Sequence, residues 1–295
     1  DKVGKTDSRV FIFGSAGSGK ELVARKLHKI SQRSNKPFVI VNGALLEPER
    51  YELELFGEEK KNGAISYGSL EKSTGGILLI DEISEIPLET QSKILRVLTD
   101  QKFRRINGNH DIKVNVRIIC CTSKDIKKEI ELGNFREDLY HRLNVFEINI
   151  DPLNKRTSDI PVLIEYFSKK IASSYNLKKL DIDTSNSYLI NYDWPGNVRE
   201  LRNLIERIAI LSPDSEDKIS NIIKESLKTP EQNLPKIKNS LSVPLKEARE
   251  NFEKEYLTTQ LRIFNGNISK TADFIGMERS ALHRKLKGLG IKELN

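Results

Sequence analysis

The sequence predicts an α/β protein: a parallel sheet covered on both faces, an attached helical subdomain, and an all-α C-terminal domain. Three observations lead there. Residues 9–150 alternate short apolar runs with segments of helical periodicity. Strand signals stop at Pro152, and two amphipathic helical patterns follow. After a stretch rich in Pro, Ser and Asn, helical patterning resumes at Pro244 and runs to the end. Strands alternating with helices argue for parallel pairing with crossover helices.

Taken in order, the apolar runs are "RVFIFG" (9–14), "FVIVN" (38–42), "GILLID" (76–81), "VRIICCT" (116–122) and "VFEINI" (145–150). Each is short and rich in β-branched or aliphatic residues, and each reads as a buried strand. "KELVARKLHKIS" and "LETQSKILRVLTD" carry apolar residues at helical spacing between them. Between the second and third runs lies "FGEEKKNGAISYGSLEKSTGG" (56–76), which reads as a Gly-flanked loop. "DIPVLIEYFSKKIASSYN" and "GNVRELRNLIERIAIL" then predict a small helical subdomain. The expected domains are 1–151 (α/β), 152–212 (helical), 213–243 (linker, with room for one short helix) and 244–295 (C-terminal).

Composition narrows the class. Of 295 residues, 37% are hydrophobic and 31% charged, which suits a soluble globular chain. No apolar run approaches the roughly 20 residues of a membrane span, so no membrane association is expected. The net charge of +7 permits an anionic partner, but its location matters more than its total. The only two cysteines, Cys120 and Cys121, are adjacent within an apolar run. They read as small buried residues in a reducing cytoplasm rather than as a disulfide or metal site. The chain starts at Asp1 and its only Met is Met277, so a fragment of a longer protein is expected.

The first strand leads into "GSAGSGKE", a G-x-x-x-x-G-K loop that opens a helix. Gly14, Gly17 and Gly19 let backbone N–H groups turn toward phosphate oxygens, and the helix N-terminus adds its dipole. Lys20 supplies a point charge for the β- and γ-phosphates. Ser15, Ala16 and Ser18 complete the loop. Glu21 stands where Ser or Thr usually ligates Mg²⁺. "GILLIDE" ends a buried strand in two carboxylates at the sheet edge where ligands gather. Asp81 is expected to hold Mg²⁺, and Glu82 to polarise the attacking water.

With these motifs quoted, a resemblance is plain. "GSAGSGKELVARKLH", "ELFGEE", "GGILLIDEISEIPLETQSKILRVL", "FRRINGN", "FREDLYHRLNVF" and "WPGNVREL" resemble the AAA+ P-loop domain of bacterial enhancer-binding proteins, which activate sigma-54 RNA polymerase. The match covers about residues 9–212. A P-loop ending in Lys-Glu is a habit of that family, so Glu21 does not count against nucleotide. The resemblance implies ATP or ADP with Mg²⁺ as cofactors. It implies that Asn42 restrains Glu82, that Arg136 and Arg142 act as arginine fingers on a neighbouring subunit's γ-phosphate, and that Arg199 touches nucleotide in cis. Where the family has Thr-Asn, this chain has Thr122-Ser123. Ser123 still hydrogen-bonds but reaches less far than Asn, which implies slower hydrolysis.

The C-terminal segment "LKEARENFEKEYLTTQLRIFNGNISKTADFIGMERSALHRKLKGLGI" resembles a Fis-type helix-turn-helix. A long first helix ends near Phe264, "NGN" breaks the chain at 265–267, and Gly276-Met277 joins two short helices. Ile268, Ala272 and Ile275 form one apolar face, and Leu282, Leu286 and Leu289 the matching one. With Leu282 and Leu286 inward, Ser280, His283, Arg284 and Lys287 point away, with Arg279 near the edge. From Arg279 to Lys292 there are five Lys or Arg and no acid. That pattern suits a recognition helix on double-stranded DNA. The resemblance implies a homodimer through the first helix, whose apolar positions include Phe252, Tyr256 and Leu257.

In the family, a Gly-Ala-Phe-Thr-Gly-Ala loop that contacts sigma-54 follows "ELFG-x-E". Here the corresponding segment is "NGAISYG", in which Ile65 replaces Phe and Tyr67-Gly68 replaces Gly-Ala. Three functions stay open. The first is a DNA-binding response regulator resembling the NtrX nitrogen-regulation branch. In it ATP binding controls assembly without normal sigma-54 contact, and a sensor histidine kinase phosphorylates a receiver domain outside this chain. The second is an ATP-hydrolysing sigma-54 activator with a divergent loop, acting on RNA polymerase holoenzyme. The third is a nucleotide-bound DNA-binding scaffold that does not hydrolyse ATP. Under the first two, the chain is an AAA+ ATPase and forms a higher AAA+ oligomer.

Overall fold

The computed structural model describes residues 2–177, 180, 182–211, 216–227, 245–264 and 267–290. The chain divides into two compact units, residues 1–227 and 228–295.

The first unit is built on five parallel strands: β1 (Val10–Gly14), β2 (Phe38–Asn42), β5 (Ile77–Asp81), β8 (Arg117–Thr122) and β9 (Phe146–Ile150), in the order β2-β5-β8-β1-β9. Register pairs Val10 with Ile119 and Phe146, and Asn42 with Asp81. The period-2 alternation of strand side chains splits the core into two layers. Phe11, Leu78, Ile80, Ile118 and Cys120 face one way and pack with the helices α2 (Tyr51–Phe56), α4 (Leu88–Asp100) and α6 (Glu137–Leu143). Ile12, Ile77, Leu79, Ile119 and Cys121 face the other way, against α1 (Lys20–Lys29). Both cysteines are buried and free, and their thiols are pushed up by desolvation beyond the range of ready ionisation. They are packing residues, as expected.

One expected strand differs. The run "VFEINI" reads as buried by its apolar pattern, yet Val145 and Phe146 are exposed. The reason is topological: β9 is an edge strand that pairs with β1 alone. A periodicity rule that sees only apolar residues does not see which strand ends the sheet.

The segment 56–76 is also more ordered than a loop. β3 (Gly57–Glu59) and β4 (Ile65–Tyr67) form an antiparallel hairpin that turns at Lys60–Gly63, and α3 (Ser69–Lys72) follows. Gly63 adopts φ +80°, as the turn requires. A second hairpin, β6 (Lys102–Phe103) with β7 (Ile112–Lys113), lies beside it. Backbone bonds between Glu59 and Ile106, and between Ile106 and Gly57, join the two hairpins. Arg105 ties them further, donating to Glu59 and to both oxygens of Glu71, with its guanidinium over the Tyr67 ring.

The remaining α/β helix is α5 (Ile126–Glu131). The helical subdomain comprises α7 (Asp159–Tyr175), α8 (Ser187–Asn191), α9 (Asn197–Leu211) and α10 (Glu216–Ser226). Its core gathers Ile160, Ile164, Trp194, Leu201, Leu204 and Ile208. Ile219, Ile223 and Leu227 belong to the same core. The linker placed at 213–243 therefore begins too early. Its apolar residues at helical spacing bury a face against the subdomain, which extends to Leu227. Pro213, Pro230, Pro235 and the rest of that linker lie outside the described residues.

The second unit holds α11 (Leu245–Ile263), α12 (Ile268–Ile275) and α13 (Arg279–Gly288). Leu257, Leu261, Ala272, Leu282 and Leu286 form its core, with Ile268, Ile275 and Leu289 packed against it. Asn267 caps α12 by accepting from the Lys270 N–H. Gly276 ends it with φ +69°, a conformation that Gly tolerates without strain. Asn265, Gly266 and Lys292 lie outside the described residues. None of the helices described is long and apolar enough to cross a membrane.

Candidate nucleotide cleft and helix-turn-helix surface

The phosphate loop sits where its sequence placed it, between β1 and α1. Gly17 and Gly19 have φ +75° and +105°, which frees the loop's N–H groups to turn inward. Gly17 has a second reason to lack a side chain: a Cβ there would collide with the Gly196 carbonyl of the helical subdomain. Lys20 is buried to 6% exposure. Its ammonium donates to the Gly14 carbonyl at 2.9 Å and pairs with Glu82 Oε1 at 3.0 Å. Glu21 pairs with Arg25 one turn along α1.

Asp81 and Glu82 close β5. Burial pushes the Asp81 carboxyl up, and the charge of Glu82 adds to this. Its Oδ1 is buried without a hydrogen-bond partner among the described residues, as is Ser18 Oγ. Buried polar atoms left in that state call for a ligand. A carboxylate oxygen at a phosphate loop has the donor chemistry of a hard divalent cation. Glu82 has φ 50° and ψ 54°, a left-handed conformation unusual for a side-chain-bearing residue. Burial raises its pKa, but Lys20 and Ser123 together outweigh that and hold the carboxyl below its usual range.

A cleft of about 720 Å³ brings these residues together. Ala16, Gly17, Gly19, Lys20, Glu21, Asn42, Asp81, Glu82, Ser123 and Arg199 all line it. Leu45, Phe167 and Val198 add apolar surface, and Arg202 a further cation. Gly14 and Ser15 border a neighbouring cleft at the ends of β1 and β9.

One placement differs from the sequence reading. The Asn42 side chain accepts from the Ala44 N–H at 2.9 Å and caps a short turn. It makes no hydrogen bond to Glu82. Ser123 does so instead, through its N–H at 2.8 Å and its hydroxyl at 2.9 Å. Nor do Arg136 and Arg142 line the cleft. Arg136 is held by Asp138 and Ser92, and Arg142 is exposed on α6.

Sequence reasoning missed Asn197 and Arg156. Asn197 is buried, with φ +53°. Its amide donates to Ser15 Oγ and the Ala16 carbonyl, while its Oδ1 accepts from the Leu153 N–H. Arg156 donates to the Ser18 carbonyl at 2.6 Å. Both reach from the helical subdomain to the phosphate loop. Asn197 lay within the quoted "WPGNVREL"; nothing in the spacing marked Arg156.

On the C-terminal unit, Arg279, Ser280, His283, Arg284 and Lys287 are all exposed on α13, while Leu282 and Leu286 are buried. Lys285 pairs with Glu253 of α11 at 3.0 Å, so it braces the helix against its support. On α11, Leu257 is consumed by the unit's own core, whereas Phe252 and Tyr256 are exposed and their rings stack.

Residues 1–149 match the model described as the sigma-54 interaction domain. The chain belongs to the sigma-54 interaction domain family. Beyond that family's own span, residues 154–238 match the AAA+ ATPase lid domain, and 248–289 match the Fis family of bacterial regulatory proteins. Among relatives, the nitrogen assimilation regulatory protein NtrX of Azorhizobium caulinodans is 46% identical over 99% of this chain. Crystal structures of NtrX from Brucella abortus superpose with a TM-score of 0.75 at 48% identity over 98% of this chain, and with 0.72 for its complex with ATP. Another was solved in complex with ADP. This chain spans 66% of the Azorhizobium relative's length and 65% of the Brucella chain. The AAA+ fold expected from the motifs and the C-terminal helix-turn-helix both hold.

Proposed function

We propose that this chain is the nucleotide- and DNA-binding part of a transcription regulator of the NtrX response-regulator type. ATP or ADP occupies the cleft, with phosphates on the loop 14–20 and Lys20, and Arg199 and Arg202 beside them. Asp81, with its unpartnered buried oxygen, would hold Mg²⁺. When bound, the ion would supply charge neutralisation at the phosphates. Glu82 orients the attacking water, and Arg136 and Arg142 serve a neighbouring subunit. The NtrX of Brucella abortus, solved with ADP and with ATP, supports the nucleotide assignment. The C-terminal unit reads double-stranded DNA through Arg279, Ser280, His283, Arg284 and Lys287, as a dimer joined at Phe252 and Tyr256. A receiver domain outside this chain, addressed by a sensor histidine kinase, sets the state, and nucleotide controls assembly.

One observation carries the finer claim that normal sigma-54 contact is absent. Where the family places its Gly-Ala-Phe-Thr-Gly-Ala loop, this chain has a hairpin turning on Lys60-Lys61-Asn62-Gly63. Its apolar residues, Ile65 and Tyr67, lie on the strand rather than at the tip. They remain 45% and 56% exposed, and Arg105 anchors the base. The match to a sigma-54 interaction domain favours a second reading, an activator with a divergent contact. Transcription from a bound promoter with each polymerase holoenzyme in turn separates them. Regulation is expected with the holoenzyme lacking sigma-54; regulation confined to the sigma-54 holoenzyme sinks the first reading.

A further inference from the structure

The end of the sheet opposite the nucleotide cleft holds a second cluster of charge. Arg9 stands just before β1 and Arg117 opens β8, whereas the phosphate loop and Ser123 follow the other ends of those strands. A pocket of about 460 Å³ lies there, lined by Arg9, Arg33, Arg117, Asp7 and Asn115, with Leu98 and Val114 as an apolar wall. Two of its three guanidiniums are committed. Arg33 uses all five N–H groups, on both oxygens of Asp7, on the Gly76 and Asn115 carbonyls, and on Asn115 Oδ1. Arg117 is buried and donates to the carbonyls of Val3, Gly4 and Ser8. Arg9 differs. It makes no side-chain hydrogen bond or ion pair among the described residues, and its Nη1 is shielded from solvent. Burial and the nearby charge of Arg142 both push its pKa down. A shielded cation without a partner is costly.

We propose that this pocket binds a small oxyanion with two negative charges, a dicarboxylate or a phosphate, with Arg9 as its principal contact. Three guanidiniums meet a single carboxylate here, so the wall carries two uncompensated positive charges. The planar fork of Arg9 matches either oxyanion. Asn115 accepts from Arg33 through Oδ1, which leaves its NH₂ group to donate to the same ligand. The bonds of Arg33 and Arg117 fix the rest of the wall in advance, which lowers the ordering cost of binding. Leu98 and Val114 are both buried and suit a short carbon chain, which favours the dicarboxylate.

The test is calorimetric titration of the full chain with succinate and, separately, with inorganic phosphate, under saturating ATP so that neither anion competes for the phosphate loop. Wild type is expected to bind at least one of them. Binding of succinate assigns a dicarboxylate, and binding of phosphate alone assigns a phosphate. Arg9→Met keeps the apolar stem, removes the guanidinium and should lower that affinity by roughly tenfold or more. Arg9→Lys keeps the charge without the fork and should fall between. Thermal unfolding gives a second readout. In buffer with neither anion, Arg9→Met should melt above wild type, because it removes an uncompensated shielded charge. Added anion should raise the melting point of wild type and leave that of Arg9→Met in place. Failure of both anions to bind wild type, or equal affinity in Arg9→Met, overturns the proposal. So does an anion-free melting point that falls in Arg9→Met, which would make Arg9 a structural residue.

Discussion

The nucleotide cleft and the recognition helix are built by opposite means. The cleft draws on the loop after β1, the ends of β2, β5 and β8, and helix α9, segments far apart in the chain. Its central charges are shielded and interlocked: Lys20 with Glu82, Glu82 with Ser123, and the phosphate loop with Asn197 and Arg156. The recognition surface comes from one helix of ten residues, with exposed polar side chains on one side and Leu282 and Leu286 on the other. Substitutions in the cleft should therefore spread to partners, whereas those on α13 should stay local and nearly additive.

The sharpest test of this contrast is Lys20→Ala. It removes the loop's point charge and leaves Glu82 buried with only Ser123. ATP affinity is expected to fall by roughly 10²-fold, the scale of one strong charge-assisted bond, with DNA affinity unchanged in the same preparation. Calorimetric titration with ATP checks it; a loss under threefold breaks the picture.

Next is Asn197→Ala, which strips partners from Ser15, the Ala16 carbonyl and the Leu153 N–H at once. Leaving the buried Leu153 N–H unmet costs about 1–3 kcal/mol, and the part-buried Ser15 and Ala16 groups add less. Urea unfolding should show a loss at or above that range, together with weaker nucleotide binding. If stability falls and nucleotide affinity does not, the subdomain and the loop are not coupled as drawn.

Arg284→Ala should cost about 1–3 kcal/mol of specific DNA binding and relax preference at one base position. Stability should be untouched, since among the described residues its only side-chain hydrogen bond is a 3.4 Å contact to the Ser280 carbonyl. Gel-shift competition with operator and scrambled duplex reads this directly; equal losses on both would make Arg284 a phosphate contact.

The smallest effect is expected for Lys287→Ala. It should weaken operator and scrambled DNA alike and reduce the salt slope by about one. Lys285→Ala is the useful contrast, because Lys285 is bonded to Glu253 and should cost little DNA affinity. A larger DNA-binding loss at Lys285 than at Lys287 would mean that the exposed face has been drawn on the wrong side.

Much of this molecule follows from local pattern. The five strands begin and end within a residue of the apolar runs, because a buried parallel strand needs a continuous apolar stretch and little else. The phosphate loop is legible because its glycines and Lys20 must sit at fixed spacing. The face of α13 is legible because two leucines four residues apart fix the helix's orientation. What tertiary structure decided is of another kind. It set β9 at the sheet's edge, gave α10 to the helical subdomain, and turned residues 57–67 into an anchored hairpin. It also made Ser123 rather than Asn42 the partner of Glu82, and brought Asn197 and Arg156 to the loop. Each of these depends on segments distant in sequence meeting at hydrogen-bond range. Periodicity reports which side of an element is apolar, and it is silent on which neighbour that element will meet.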